Sequence, residues 1–107
     1  GFVPPCDFKD GDVIYVRTFR YNWVSIFKKY TEDQIITYMD LNLVNNNFHG
    51  AGGEAMPLCQ KRAILEKRLA TEEEEEKLFK AIKEHGYTWN AVTKHLDEVN
   101  RSLTLPP

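Results

Sequence analysis

The sequence predicts an α+β domain: a small, bent antiparallel sheet followed by one capped α-helix and a C-terminal β-hairpin. Three observations predict it. Short β-branched and aromatic segments separated by turn chemistry fill positions 13–43. The stretch from Thr71 to Gly86 carries both a helix start and a helix stop. Six Phe, five Tyr and two Trp among 107 residues favour a β-rich core.

Residues 1–7, with Pro4-Pro5, read as an irregular lead-in, and Asp10-Gly11-Asp12 is a turn that opens the first strand. Val13 to Thr18 is β-branched and too short for a good helix. Phe19 to Asn22 makes a loop. Trp23 to Lys28 follows as a strand, with Trp23, Ser25 and Phe27 on one face and Val24, Ile26 and Lys28 on the other. After a turn at Thr31-Glu32-Asp33, Gln34 to Leu43 reads as a third strand. Ile35, Thr37, Met39, Leu41 and Leu43 alternate there with Ile36, Tyr38, Asp40 and Asn42.

Asn45-Asn46-Asn47 and Gly50-Ala51-Gly52-Gly53 have little packing capacity and read as loop. Pro57-Leu58-Cys59 supplies a short edge strand. Arg62 to Leu69 fits either a short helix or a last strand, with strand the better fit. A sheet of about four or five such strands bends strongly, towards an SH3-like barrel. Thr71 is an N-cap and Glu74 completes its capping box, so the helix begins at Glu72 and runs to His85. Carboxylates in the first turn suit the helix dipole, and Gly86 suits the left-handed residue beyond the end. Leu78, Phe79, Ile82 and His85 mark its apolar stripe.

Tyr87 to Leu96 fits two conformations. A hairpin would place Tyr87 to Asn90 and His95 to Val99 as strands around a turn at Ala91 to Lys94; the alternative is a second helix. The whole chain reads as a single domain, 1–107, with a β-rich half over 8–69, a helix and hairpin over 70–99, and irregular ends at 1–7 and 100–107.

Two family resemblances follow from these motifs. Thr71-x-Glu73-Glu74-x-x-x-Leu78, followed by Gly86-Tyr87-Thr88-Trp89 and a stretch ending in Leu96, resembles the first two helices of a Myb or SANT repeat. That resemblance implies a DNA-reading third helix after Leu96, where the sequence instead runs Asp97-Glu98-Val99-Asn100 and closes on prolines. The tryptophan that the family places just before the Thr is absent. The second resemblance covers residues 8–98. Phe8 to Asp12, Trp23 to Lys28, Arg68 to Ile82 and Gly86 to Leu96 occur in the order found in small uncharacterised proteins of Bacteroides-type genomes, phages and mobile elements. It implies a phage-related or mobile-element origin and the helix–hairpin reading, and no activity.

Apolar residues make up 42% and charged residues 28%, the balance of a soluble globular domain. A formal net charge of −2 argues against strong non-specific phosphate binding. The two cysteines, Cys6 and Cys59, are too few for a disulfide scaffold, which points to reduced thiols and a cytoplasmic location. The chain opens on Gly1 rather than Met, as a trimmed terminus does, so a targeting segment upstream would not be visible. No apolar run approaches the roughly 18 residues of a membrane span.

No nucleophile elbow, P-loop, zinc-binding helix or dinucleotide fingerprint occurs, and the histidines have no ligand spacing to the cysteines. The expectation is a non-catalytic module without cofactor or metal. A binding or regulatory module with a protein partner is the first reading, because the Phe19 to Trp23 loop offers residues of hot-spot type. The alternative is nucleic-acid association, since basic and aromatic residues interleave over 15–30 as single-strand binding surfaces require. Both readings use the same candidate contacts: Tyr15, Arg17, Arg20, Tyr21, Trp23 and Lys28.

Overall fold

A computed structural model describes residues 8–50 and 55–98, and one antiparallel sheet dominates it. The Lys9 to Asp12 turn is closed by the Asp12 carboxylate, which accepts from the Lys9 amide at 2.8 Å. Gly11 takes φ +99° there and donates its amide to the Phe27 carbonyl, so the turn is tied to the second strand as it opens the first. Strands β1 (Val13–Arg17), β2 (Asn22–Tyr30) and β3 (Gln34–Asn42) form a meander. Short β4 (Phe48–His49) and β5 (Met56–Gln60) both pair with β3, at opposite ends of its nine residues. A 3₁₀ turn (Lys61–Ala63) leads into β6 (Glu66–Leu69), which pairs with β1.

The sheet order is β4-β3-β2-β1-β6. Among the described residues it does not close into a barrel, because no strand pairs with the outer edge of β6. The expected closure towards an SH3-like barrel is therefore absent among the described residues. Arg62 to Leu69 turns out to hold both alternatives in sequence, one helical turn and then a strand. The Asn- and Gly-rich tract is less bare than its composition indicates, since Phe48 and His49 pair with Leu41 and Asp40.

Helix α1 (Glu72–Glu84) begins at the predicted cap. Thr71 Oγ1 accepts from the Glu74 amide at 3.2 Å, and the Glu74 carboxylate accepts from the Thr71 amide at 2.9 Å. Gly86 follows at φ +89°. The hairpin reading holds beyond it: β7 (Tyr87–Asn90) pairs with β8 (His95–Glu98) as a separate two-stranded sheet. Asn90 Oδ1 caps the turn by accepting from the amides of Val92 and Thr93.

The sheet carries a core on each face. On one, Val24, Ile26, Met39 and Leu41 pack against Leu78, Ala81 and Ile82 of α1, with Trp89 and Leu96 of the hairpin at the margin. The stripe differs from expectation at Phe79 and at His85. Ala81 is buried, whereas Phe79 is 37% exposed and His85 at the C-cap is exposed as well, because the buried line of α1 runs through 78, 81 and 82. On the other face Phe8, Ile14, Val16, Phe27 and Ile35 pack together, with Trp23, Leu58 and Ile64 around them.

Strand β3 serves both cores through register shifts. Ile26 faces Met39 and Phe27 faces Thr37, so Tyr38 is passed over; Lys28 is passed over next on β2. An extra residue reverses the alternation beyond it. Ile35 therefore joins the second core while Met39 and Leu41 join the first, and the single alternating face expected for 35–43 is split.

A polar cluster lies inside this sheet. Thr37 Oγ1 donates to Asp40 Oδ1 at 2.6 Å, and both residues are buried. Ser25 faces Asp40 across the β2–β3 ladder; its fully buried hydroxyl lies near the carboxyl but in hydrogen-bonding geometry with no described partner. Burial pushes the Asp40 carboxyl above its usual range, and the Thr37 and Ser25 hydroxyls and His49 offset this only in part. Burial and the nearby Asp40 charge raise the Cys59 thiol to about 11. Cys59 is a free thiol among the described residues, and pairing with Cys6 concerns a residue outside them. No helix among the described residues is long and apolar enough to cross a membrane.

Candidate nucleic-acid interface

The connection between β1 and β2 is a tight turn that pushes side chains outward. Thr18 donates its amide to the Tyr21 carbonyl at 2.8 Å, and its hydroxyl accepts from the Tyr21 amide at 3.3 Å. Phe19 and Arg20 stand at the tip, Phe19 with 89% of its surface exposed. The Arg17 carbonyl accepts from the Leu65 amide at 2.7 Å, which ties the base of the turn to the segment before β6. Arg17, Phe19, Arg20 and Tyr21 help line an open concavity of about 240 Å³.

Tyr21 and Trp23 form an aromatic pair beside it. Their ring centroids lie 5.8 Å apart with the planes tilted by 35°. Tyr21 is 42% exposed, and Trp23 is half-buried against the second core. The turn thus presents ring faces with cations next to them. Arg17 Nε donates to Glu66 at 3.2 Å, whereas Arg20 forms no ion pair among the described residues. Bonds from Arg17 and Arg68 hold the Glu66 carboxyl below its usual range.

Four of the six candidate residues, Arg17, Arg20, Tyr21 and Trp23, are brought together here. Tyr15 adjoins them in the ladder but is 7% exposed. Its ring lies under the Arg68 guanidinium at 4.1 Å, and its hydroxyl accepts from Asn22 Nδ2 at 3.3 Å. It supports the turn from beneath and offers no free ring face. Lys28 is elsewhere. Six residues along β2 from Asn22 is roughly 20 Å, and the Lys28 ammonium sits 5.5 Å from the centre of the Tyr38 ring. The Tyr38 hydroxyl donates to Asp10 at 2.8 Å; burial first, and this bond second, push it up to about 12.

A second basic–aromatic contact went unread in the sequence. Lys67 Nζ donates to the Tyr30 hydroxyl at 2.7 Å and lies 4.6 Å from the ring centre, with Lys61 5.6 Å from the same ring. Tyr30 stands in the interleaved stretch, but its cations come from the distant β6 region, and no local spacing signals that.

Residues 71–104 match the Myb-like DNA-binding domain. The match covers about a third of the chain and lies on α1, the β7–β8 hairpin and the residues after it. Thr71, Glu74 and Leu78 occupy the cap and buried line of α1. Trp89 packs with its ring 5.3 Å from that of Tyr38 and faces Leu96 across the hairpin. The part of the match that spells a second helix is therefore β-structure here. Neither a curated protein nor a solved structure matches the chain.

Proposed function

We propose that this chain is a non-catalytic nucleic-acid-associated module that holds single-stranded nucleic acid on the β1–β2 turn. One observation carries the reading: the Tyr21–Trp23 ring pair lies beside Arg20, an unpaired cation among the described residues, on an outward-pointing turn. Bases stack on exposed rings while guanidinium groups neutralise phosphate, and both are needed for single strands. The Myb-like match supports association with nucleic acid. The ring faces favour single strands over a duplex, whose bases are already stacked. A net charge of −2 makes the binding local and salt-sensitive. The ordered motifs over residues 8–98 further support an accessory role in a phage or mobile element.

Fluorescence anisotropy with labelled single-stranded and duplex oligonucleotides at about 50 mM salt tests this. Single strands bind more tightly than duplex, and Tyr21→Ala weakens binding by about 1–3 kcal/mol. Arg20→Ala weakens it for all sequences and lowers the single-strand salt slope by about 0.7. Absence of binding by the wild-type chain, or binding indifferent to both substitutions, overturns the reading. A protein partner at the same turn is the second reading, favoured by the exposed Phe19 at its tip. A pull-down whose partners are lost on changing Tyr21 and Trp23 to Ala would support it.

A further inference from the structure

A second feature stands at the same end of the sheet as the β1–β2 turn. The Leu43 amide donates to the Asn22 carbonyl at 2.8 Å, and Asn42 faces Trp23 in the ladder. The β3–β4 turn that follows, Leu43 to Asn47, is thus anchored to the start of β2. Within it Asn46 takes φ +62° and donates its amide to the Asn42 carbonyl at 2.7 Å. Its side-chain amide has no hydrogen-bond partner among the described residues.

Between this turn and α1 lies a cavity of about 310 Å³. Leu41 and Ala81 form its floor, while Asn46, Lys77, Lys80, Glu84 and His85 surround it. Lys77 and Lys80 are one helical turn apart and share a face of α1. Neither forms an ion pair among the described residues, although Glu73 and Glu76 stand four positions before them. The cavity therefore has two free ammonium groups against the single carboxylate of Glu84. His85 is held in place: its Nδ1 lies 2.9 Å from the Ala81 carbonyl, which can only accept, and its ring lies 4.9 Å from that of Phe48.

We propose that this cavity is a phosphate-binding site. Lys77 and Lys80 supply the charge, and the Asn46 amide supplies a neutral donor from the opposite wall. On the reading that the β1–β2 turn holds a single strand, on which this inference rests, the cavity receives a phosphate of that same strand as it leaves the turn. The Asn45–Asn47 run then has a use: a left-handed residue at its centre brings an unpartnered carboxamide to face the helix.

The test is a titration of the full ¹⁵N-labelled chain with inorganic phosphate, followed by oligothymidylate, for wild type and the Lys77→Gln/Lys80→Gln double variant. Glutamine keeps helix propensity, and circular dichroism checks the fold. Phosphate shifts the amide signals of Asn46, Lys77, Lys80 and His85 saturably, and the double variant loses those shifts. Its oligothymidylate salt slope falls by about 0.7, the share of one phosphate on a single strand. If phosphate produces no saturable shift at these residues, or the double variant keeps the wild-type shifts, the proposal is overturned. Oligothymidylate binding with an unchanged slope overturns it while leaving the turn intact as a binding surface. Saturable phosphate binding without any oligothymidylate binding keeps the site, assigns it to free phosphate and removes the single-strand reading.

Discussion

Asp40 shows at the residue scale how one buried group sets a pH dependence. Its carboxyl is raised by burial, so the folded chain holds a proton there more tightly than the unfolded chain does. Such a group contributes stability that is fully present below the ordinary carboxyl value of about 3.9 and is lost as pH rises through the folded value. Asp40→Asn removes the charge while keeping an oxygen for the Thr37 hydroxyl. The substitution is expected to raise the urea midpoint at neutral pH and leave it nearly unchanged at about pH 3. A lower midpoint at neutral pH would mean that the charge itself is needed. Cys59 responds to the same environment. With its thiol at about 11, little thiolate exists at pH 8, so mass spectrometry should find Cys59 alkylated far more slowly than a free cysteine peptide. Neither property was legible locally. In the sequence Asp40 is one polar residue in an alternating strand; it is buried because the register shift at Tyr38 brings it onto the same side as Thr37.

At the scale of elements, α1 was the most legible part of the chain. Its cap, capping box and terminal glycine depend on residues within one turn of each other, and local chemistry suffices to place them. What holds the helix down was not legible. Arg68 of β6 grips Glu74 with both terminal nitrogens, at 2.8 and 2.9 Å, while its Nε donates to Glu66 at 3.1 Å. The capping glutamate is thus also the docking point between helix and sheet. Thr71→Ala should cost about 1 kcal/mol of stability, the usual worth of an N-cap. Ile82→Ala should cost about 2–5 kcal/mol as a core truncation. Phe79→Ala should cost clearly less than Ile82→Ala, since Phe79 lies off the buried line. Denaturant titration of the three variants checks the order. An equal loss at Phe79 and Ile82 would contradict the placement of α1. Phe79 was misread because periodicity gives the width of an apolar stripe, and only the opposing surface decides which of its edges is covered.

For the whole molecule, the sheet is the wall shared by two cores, and each core has one tryptophan at its margin. Trp89 borders the core under α1, and Trp23 borders the other. Trp23→Phe and Trp89→Phe therefore each leave a fluorophore that reports on a single core. If β2 and β3 couple the two faces, urea transitions of the two variants show equal steepness, and adding Ile82→Ala lowers both midpoints together. A shift confined to the Trp89 reporter would mean that the layers unfold separately. The general plan, strands then helix then hairpin, could be read from the sequence because each element announces itself within a few residues. The open edge of β6 and the distance of Lys28 from the aromatic turn could not. Both depend on which strands become neighbours, and basic–aromatic interleaving along a chain does not record which end of a strand a side chain occupies.

The β2–β3 pair has a kinetic consequence. Its strands are joined by a short turn in which Thr31 and Gln34 exchange backbone and side-chain bonds. Closing such a connection loses little chain entropy, and the resulting ribbon already presents half of each core. It is the natural nucleus for folding. Truncating Val24 or Leu41 should slow refolding, whereas truncating Leu96 in the late-docking hairpin should chiefly speed unfolding. The bulge at Tyr38 would then commit side chains to their layers before helix or hairpin arrives, and a chain mispaired there would have to reopen before either could dock.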